Sequence, residues 1–226
     1  MNKVAIIDGG FKYHMLFLDK GFEVFDLNNV DQVSMFDFST VDTILFTGGA
    51  DIDPNFYGHD KHPKTGTSRM ADELCIFTYA QAKIQNPDIR MVGICRGSQF
   101  LCAMSGGELI QHCDNHAVGS GHEVNTIFGE TFHVTSTHHQ MQYPEKLPNE
   151  DYVVLAHTRR AEVHQQCING SVVAIEPDVD YEVVHYRQTN ALAFQPHPEY
   201  DEETAELFWK CYQLAFVDSK TYEHYW

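Results

Sequence analysis

Short apolar runs alternate with longer stretches of helical spacing in the first half of the chain. The apolar runs are typical of buried strands and occupy residues 3–7, 22–27, 43–47 and 91–94. Residues 11–19 and 69–85 have the spacing of amphipathic helices. Strands that alternate with helices of this length predict parallel βαβ units. The first half is therefore predicted to form a doubly wound α/β sheet flanked by helices.

The second half of the chain has strand-like runs in quick succession. These runs occupy residues 108–111, 123–128, 131–136, 152–157, 171–176, 181–186 and 191–195. They predict antiparallel hairpins added to a mainly parallel central sheet. Residues 112–122 have no strong pattern and are predicted to be a loop, whereas residues 201–216 are predicted to form a closing amphipathic helix. Because no linker or repeat interrupts the pattern, residues 1–226 are predicted to form a single domain.

Residues 90–99, Arg-Met-Val-Gly-Ile-Cys-Arg-Gly-Ser-Gln, combine a strand, a sharp turn and the start of a helix. Cys95 lies at the turn in the pattern Gly-x-Cys-x-Gly, the thiol counterpart of the Gly-x-Ser-x-Gly nucleophile elbow. A β-carbon at Gly93 or Gly97 is expected to collide with the neighbouring strand or helix. The N-terminus of the following helix favours a thiolate. A buried structural cysteine is the alternative, and this pattern alone does not decide between them.

A thiolate nucleophile needs a base, and the base needs an orienting group. His197 and Glu199 lie two residues apart, so in an extended segment their side chains project the same way. Pro196 and Pro198 restrict the backbone on both sides of His197. We therefore predict a catalytic triad of Cys95, His197 and Glu199. With fourteen histidines in the chain, a surface histidine beside a surface glutamate is the alternative.

Acyl transfer also requires hydrogen-bond donors for an oxyanion, and two backbone N–H groups are suitable. Arg96 follows the nucleophile directly, and Gly49 ends the neighbouring predicted strand. We predict that the backbone N–H groups of Gly49 and Arg96 form this oxyanion hole. By itself, the pair Gly48-Gly49 also fits an ordinary turn at the end of a strand.

Four sequence blocks, in the same order, resemble the class I glutamine amidotransferase superfamily and, within it, the γ-glutamyl hydrolase branch, peptidase family C26. The blocks are residues 48–58 (Gly-Gly-Ala-Asp-Ile-Asp-Pro-Asn-Phe-Tyr-Gly), 93–99 (Gly-Ile-Cys-Arg-Gly-Ser-Gln), 136–140 (Ser-Thr-His-His-Gln) and 195–199 (Gln-Pro-His-Pro-Glu). The first block points to the γ-glutamyl hydrolase branch. The resemblance implies a flavodoxin-like, class I glutamine amidotransferase fold.

The resemblance also implies a role for each matched position. Cys95 matches the nucleophile, His197 the general base and acid, and Glu199 the orienting carboxylate. Gly49 and Arg96 match the oxyanion donors. The positions that match those holding the α-amino and α-carboxylate end of the glutamyl group are Gln99, Ser136, Thr137, His138 and His139.

The implied reaction is cysteine-dependent hydrolysis of a γ-glutamyl amide through a γ-glutamyl thioester on Cys95, giving glutamate and an amine. The alternative is a glutaminase subunit that hydrolyses glutamine and passes ammonia to a separate synthetase or ligase. A non-catalytic binding module is a third hypothesis, which the intact Cys95, His197 and Glu199 oppose. Residues 157–170 match no block, so the leaving amine is not identified.

Composition narrows the partners and the compartment. A net charge of −17 repels polyanions and argues against nucleic acid or an anionic membrane surface. No apolar run approaches bilayer-spanning length, and the N-terminal run is too short for a signal peptide. The six cysteines have no disulfide-framework spacing, so a cytoplasmic protein with free thiols is expected.

Some features leave the assembly open or argue against bound ions. Aromatic residues near the C-terminus fit either packing on the domain or a homodimer contact: Tyr212, Phe216, Tyr222, Tyr225 and Trp226. A zinc site is suggested by His112, Cys113, His116 and His122, but these residues lack a paired Cys-x-x-Cys or His-x-x-x-His spacing. A polar loop near the mouth of the site is preferred, and neither a metal nor another cofactor is predicted.

Overall fold

The computed structural model describes residues 2–217. Its five α-helices are α1 (Phe11–Leu18), α2 (Val30–Met35), α3 (Arg69–Gln85), α4 (Arg96–Met104) and α5 (Glu202–Phe216). Its strands are β1 (Lys3–Ile7), β2 (Glu23–Leu27), β3 (Thr43–Phe46), β4 (Arg90–Ile94), β5 (Glu108–Ile110), β6 (His112–Cys113), β7 (Ala117–Thr126), β8 (Thr131–Thr137), β9 (Met141–Tyr143), β10 (Tyr152–Thr158), β11 (His164–Ile168), β12 (Ser171–Ala174), β13 (Asp180–Tyr186) and β14 (Ala191–Phe194). Short 3₁₀ turns occupy Phe38–Thr40, Pro54–Tyr57 and Asn149–Asp151.

Nine of these strands form one mixed sheet in the order β2-β1-β3-β4-β14-β13-β10-β7-β8. The first five strands are parallel, and we call them the parallel half. The last four pair antiparallel, beginning with β13 against β14, and we call them the antiparallel half. The strand order of the parallel half is that of flavodoxin-like sheets. The predicted mainly parallel α/β sheet with added antiparallel hairpins is confirmed.

Helices cover both faces of the parallel half. One face packs against α3 and α4 through side chains such as Leu74 and Phe100, and the other packs against α1 and α5 through Phe17 and Phe208. Since both faces are buried, the strands consist of continuous apolar runs rather than alternating ones, which is why the pattern predicted them well. The carboxyl ends of β3, β4 and β14 are adjacent, and candidate site residues follow each of them.

The prediction that residues 112–122 form a loop is wrong. They contain β6 and the first part of β7, which pairs with β8 through Val118 opposite Ser136. The register of this pairing shifts between Val118 and His122, and Gly121 has φ of +69°. An irregular strand with mostly exposed residues has no apolar alternation for a sequence pattern to detect. The strands β9 and β11 were not predicted either.

The described part of the C-terminal region packs on the domain. The Tyr212 ring lies 6.1 Å from the ring of Phe22 and 5.0 Å from that of Phe216. The other aromatic residues that we considered for a homodimer contact, Tyr222, Tyr225 and Trp226, lie outside the described residues. Within residues 2–217, no helix has the length and apolar character needed to cross a membrane.

Candidate active site

Cys95 occupies a strained turn between β4 and α4. Its φ of 52° and ψ of −107° lie outside the regions that residues with a side chain usually adopt. A β-carbon at Gly93 would lie 2.2 Å from the carbonyl oxygen of Gly97, and one at Gly97 would lie 2.1 Å from the carbonyl oxygen of Phe46. The predicted collisions of both glycines with the neighbouring helix and strand are therefore confirmed. The tight turn requires both glycines.

His197 and Glu199 follow β14 and lie close to this turn. The Nδ1 atom of His197 is 2.6 Å from Oε1 of Glu199, whose side chain is only 1% exposed. Gly48 lies between the imidazole and the cysteine, since an added β-carbon there would lie 2.9 Å from Cε1 of His197 and 3.6 Å from Cβ of Cys95. The fold thus brings the three predicted triad side chains together, with a glycine filling the space between two of them.

The environment of His197 determines its charge. Burial disfavours the imidazolium, but hydrogen bonds to Cys95 and Glu199 outweigh burial and raise the pKa of His197 to about 10. The ring therefore carries a proton at neutral pH, and a protonated imidazole beside a cysteine favours a thiolate. Thr135 fixes the backbone of this residue, because its hydroxyl accepts from the His197 N–H at 2.7 Å and donates to the His197 carbonyl at 3.2 Å.

The two predicted oxyanion donors lie on either side of the turn. A β-carbon at Gly49 would lie 3.2 Å from Cδ of Arg96, so the two residues are in close contact. The Arg96 guanidinium is buried in an ion pair with Asp72 and donates to Sγ of Cys75 at 3.2 Å. Because both partners lie on α3, the charged end of Arg96 is bound within the protein core. Within residues 2–217, neither the Gly49 N–H nor the Arg96 N–H donates a hydrogen bond.

A cavity of about 330 Å³ opens beside Cys95. Its size is at the lower end for small-molecule sites, which suits a ligand of amino-acid size. Predicted site residues among its lining are Gly49, Cys95, Gln99, Thr137, His138 and His139. A larger cavity, of about 560 Å³, is lined by residues such as Tyr152 and Tyr181 but by none of the predicted site residues. The smaller cavity is therefore the candidate active site.

Gln99 and Ser136 have their polar groups bound within the protein. The Gln99 amide donates to the Gln140 carbonyl at 3.1 Å and lies 3.4 Å from Oε1 of Gln195. The Ser136 hydroxyl donates to the carbonyl of His116, and Ser136 does not line the cavity beside Cys95. Both side chains thus hold the cavity wall, and Ser136 is the predicted substrate-binding residue that the structure keeps out of the cavity.

The two histidines of the predicted substrate-binding loop point in different directions. His139 is partly exposed, and its Nε2 is 3.3 Å from Oδ2 of Asp51. His138 is buried, and its Nε2 is 3.6 Å from Oε2 of Glu182. His139 is therefore the histidine whose ring is available to a ligand, whereas the ring of His138 joins a buried polar cluster.

Sequence reasoning missed three residues at this site. The Tyr13 hydroxyl accepts from the Gly48 N–H at 3.1 Å. Burial and the neighbouring charge of Glu199 raise the pKa of Tyr13 above its usual value. Asp51 and Lys64 line the cavity with opposite charges. Asp51 lies within the block at residues 48–58, whereas nothing in the local sequence distinguished Tyr13 or Lys64.

The buried polar cluster around His138 is the one group in the described chain that has metal-ligand geometry. Its members are His116, His122, His138 and Glu182, and their potential ligand atoms all lie within 4.8 Å of one another. Two of the four histidine and cysteine residues considered from the sequence are therefore present. His112 and Cys113 are not members.

Comparisons with known proteins support the sequence resemblance. The family model of Peptidase C26 matches residues 27–199. The glutamine amidotransferase-like protein YvdE of Lactococcus lactis is 29% identical over 77% of this chain and 72% of its own length. Rv2859c of Mycobacterium tuberculosis, named as an inferred glutamine amidotransferase, is 36% identical over 38% of this chain and 28% of its own length.

Solved structures share the fold. An inferred GMP synthase component from Thermoplasma acidophilum has a TM-score of 0.60 at 17% identity, over 99% of this chain and 98% of its own. A glutamine amidotransferase from Thermotoga maritima has a TM-score of 0.56 at 15% identity, over 97% of this chain and 85% of its own. These likenesses confirm the predicted class I glutamine amidotransferase fold.

Proposed function

The chain belongs to the Peptidase C26 family, and from this premise we propose that it hydrolyses γ-glutamyl amides through a thioester on Cys95. Membership of the family, together with the amidotransferase-like relatives, supports hydrolysis of the glutamine amidotransferase type. The observation that carries the specific proposal is the strained turn at Cys95 with the hydrogen-bonded pair of His197 and Glu199 beside it. This arrangement has the nucleophile, base and orienting acid that acyl transfer requires.

In the proposed reaction, the Cys95 thiolate attacks the γ-carbonyl carbon and forms a C–S bond. The resulting oxyanion accepts hydrogen bonds from the N–H groups of Gly49 and Arg96. As the C–N bond breaks, Nε2 of His197 gives its proton to the departing amine, and the γ-glutamyl thioester remains. Water then attacks the thioester and gives a proton to the same nitrogen. When the C–S bond breaks, glutamate leaves and the Cys95 thiolate is restored.

The charges around the cavity support a free amino-acid end on the substrate. Lys64 and Asp51 line the cavity together with Cys95. A lysine ammonium and an aspartate carboxylate complement the α-carboxylate and α-ammonium groups of a γ-glutamyl moiety. We therefore assign the α-carboxylate to Lys64 and the α-ammonium to Asp51, with Gln99 holding the loop at residues 136–140 in place through its hydrogen bond to Gln140.

A second cavity favours a leaving amine larger than ammonia. It has a volume of about 300 Å³ and shares Thr137 with the cavity beside Cys95. Its lining also includes Thr135, which bonds the His197 backbone, and Tyr200, whose ring lies 5.5 Å from the His197 ring. Because His197 must protonate the departing amine, the amine has to leave on the side of His197. The second cavity flanks that side.

The second candidate is a glutaminase subunit that hydrolyses glutamine and passes ammonia to a separate synthetase or ligase. The similarity to the glutamine amidotransferase-like protein YvdE favours it. The triad would act in the same way in both cases. The two functions differ in the size of the leaving group and in the need for a partner protein.

A panel of γ-glutamyl amides, glutamine included, tests the proposal by measuring glutamate release. We expect the isolated chain to cleave amides of larger amines with a higher kcat/KM than glutamine. Preference for glutamine, with rates that rise when a synthetase binds, would instead establish the second candidate. A chain that releases glutamate from none of them, with or without a partner, would disprove both.

The nucleophile is tested by labelling with a glutamine-like electrophile and mapping the modified residue. Since the other five cysteines are buried, we expect a single adduct on Cys95. An excess of a good γ-glutamyl substrate should slow the labelling, because both compete for one cavity. Labelling of a different cysteine, or labelling that substrate does not slow, would contradict the assignment.

A further inference from the structure

The antiparallel half buries three histidines around one carboxylate. Oε1 of Glu182 is 3.2 Å from Nδ1 of His116 and 3.1 Å from Nε2 of His122, and Oε2 is 3.6 Å from Nε2 of His138. All four residues are buried. None of these ring nitrogens or carboxylate oxygens has a hydrogen bond of good geometry within the described residues. Unpartnered polar atoms at this depth are costly, so the cluster needs an explanation.

The outer nitrogens of two rings fix the proton positions. Nδ1 of His122 lies 3.2 Å from the carbonyl oxygen of Glu123, and Nδ1 of His138 lies 3.0 Å from that of Gln140. A carbonyl oxygen only accepts, so each Nδ1 must carry the hydrogen. In a neutral ring, the other nitrogen then directs a lone pair at Glu182. Lone pairs facing a carboxylate repel it unless a cation lies between them.

The third ring has a carboxylate on its outer side. Nε2 of His116 lies 3.1 Å from Oδ2 of Asp180, which is also buried. Histidines that bind metals usually donate their outer N–H to such a carboxylate or to a backbone carbonyl, which orients the ring. All three rings of the cluster follow this pattern. A divalent cation would also balance the two negative charges of Asp180 and Glu182, leaving the buried group neutral.

The spacing of the inner atoms fits a tetrahedral metal. Ligands that lie about 2.0–2.1 Å from a zinc ion at tetrahedral angles are separated from one another by about 3.3–3.4 Å. The three distances between nitrogen and oxygen atoms, 3.1, 3.2 and 3.6 Å, bracket that value. We propose that His116, His122, His138 and Glu182 bind one divalent metal ion, and the ligand set is best suited to zinc. Four buried protein ligands indicate a structural site rather than a catalytic one.

Such a site would stabilise the wall of the candidate active site. Its ligands come from the start of β7, the loop after β8, and β13, so one ion would tie three segments together. His138 lies between Thr137 and His139, which both line the cavity beside Cys95. The Glu182 carbonyl accepts from the Gln195 N–H at 2.8 Å, shortly before His197 in the chain. Metal loss should therefore loosen the substrate-binding loop first and raise KM more than it lowers kcat.

Metal content of the wild-type protein is the primary test, and it does not depend on the proposed function. The protein would be reconstituted with zinc sulfate, dialysed, and analysed by mass spectrometry for metals. We expect about one zinc ion per chain. Cobalt(II) in place of zinc should give the visible absorption of a tetrahedral complex. Wild-type protein that retains no divalent metal after reconstitution would overturn the proposal, whatever the variants do.

Variants identify the ligands. Glu182→Gln and His122→Gln should each retain less than about a tenth of the wild-type metal. His185→Gln is the matched control, since His185 is another buried histidine on β13 and is not a member of the cluster. It should bind as much metal as the wild type. Full metal content in folded Glu182→Gln and His122→Gln would place the metal elsewhere and overturn the assignment. If a different divalent metal binds with the same ligand dependence, the site is supported and only the identity of the metal changes.

Discussion

The parallel and antiparallel halves of the sheet bury different chemistry. Strands of the parallel half bury mainly apolar side chains, and the reactive Cys95 lies just beyond the end of β4. In the antiparallel half, β7 and β13 carry His122 and Glu182 into the interior. Apolar burial is favourable under all conditions, whereas buried ionisable groups are tolerated only when they are paired or bind a metal. The parallel half should therefore be insensitive to metals, and the antiparallel half should depend on them.

The largest expected effect is on catalysis. Cys95→Ala should lower glutamate release by about 10⁴-fold or more, because it removes the nucleophile. It should change the free energy of unfolding by less than about 1 kcal/mol, since the strained turn already holds a β-carbon. Kinetics and urea denaturation measure the two quantities. Cys167→Ala is the control and should leave activity unchanged. Residual turnover of Cys95→Ala near the wild-type rate would contradict the assignment.

The second effect is on the stability of the parallel half. Asp72→Asn should lower the free energy of unfolding by about 3 kcal/mol, because the Arg96 guanidinium would remain buried without its counter-charge. The loss should be equally large with and without a metal chelator, whereas a chelator should destabilise the wild type through the antiparallel half. Glu73→Gln, which breaks an exposed ion pair with Arg69 on the same helix, should cost less than about 1 kcal/mol. Equal losses in the two variants would argue against a special role for the buried pair.

A smaller effect is expected from the hydroxyl group of Tyr13. Tyr13→Phe should lower kcat about five- to tenfold with little change in KM, because a lost hydrogen bond of about 1 kcal/mol would loosen Gly48 beside the triad. Tyr79→Phe, a partly buried tyrosine on α3, is the matched control and should leave kcat unchanged. A rise in KM with constant kcat would indicate that Tyr13 contacts substrate instead.

The finest test concerns the proton on His197. Its pKa is raised from 6.5 to about 10, so this proton stabilises the folded chain fully below about pH 6.5, and the contribution is lost as pH rises toward 10. In Cys95→Ala the hydrogen bond and charge of the sulfur are absent, so the pKa of His197 should fall. Titration by NMR of labelled histidine measures it, with Cys167→Ala as the control. An unchanged pKa in Cys95→Ala would mean that the two side chains do not interact.

Local steric rules made the elbow predictable. Gly93 and Gly97 lie where backbone from a neighbouring segment leaves no room for a β-carbon, and such positions appear in the sequence as glycine. The parallel strands were equally clear, since burial on both faces requires uninterrupted apolar runs. Tyr13 could not be found in this way. Its hydroxyl reaches Gly48 only because α1 packs over the end of β3, and nothing in the local sequence records that contact.

The sequence by itself determined which segments form the parallel half, where the nucleophile lies, and the family to which the chain belongs. It also supplied the histidines of the buried cluster, but it did not group them. His116 and His122 meet His138 and Glu182 only through the pairing of β7 with β8 and with β10, and of β10 with β13. Distances between residues far apart in the chain are set by strand pairing, and a local pattern of polar and apolar residues does not contain that information.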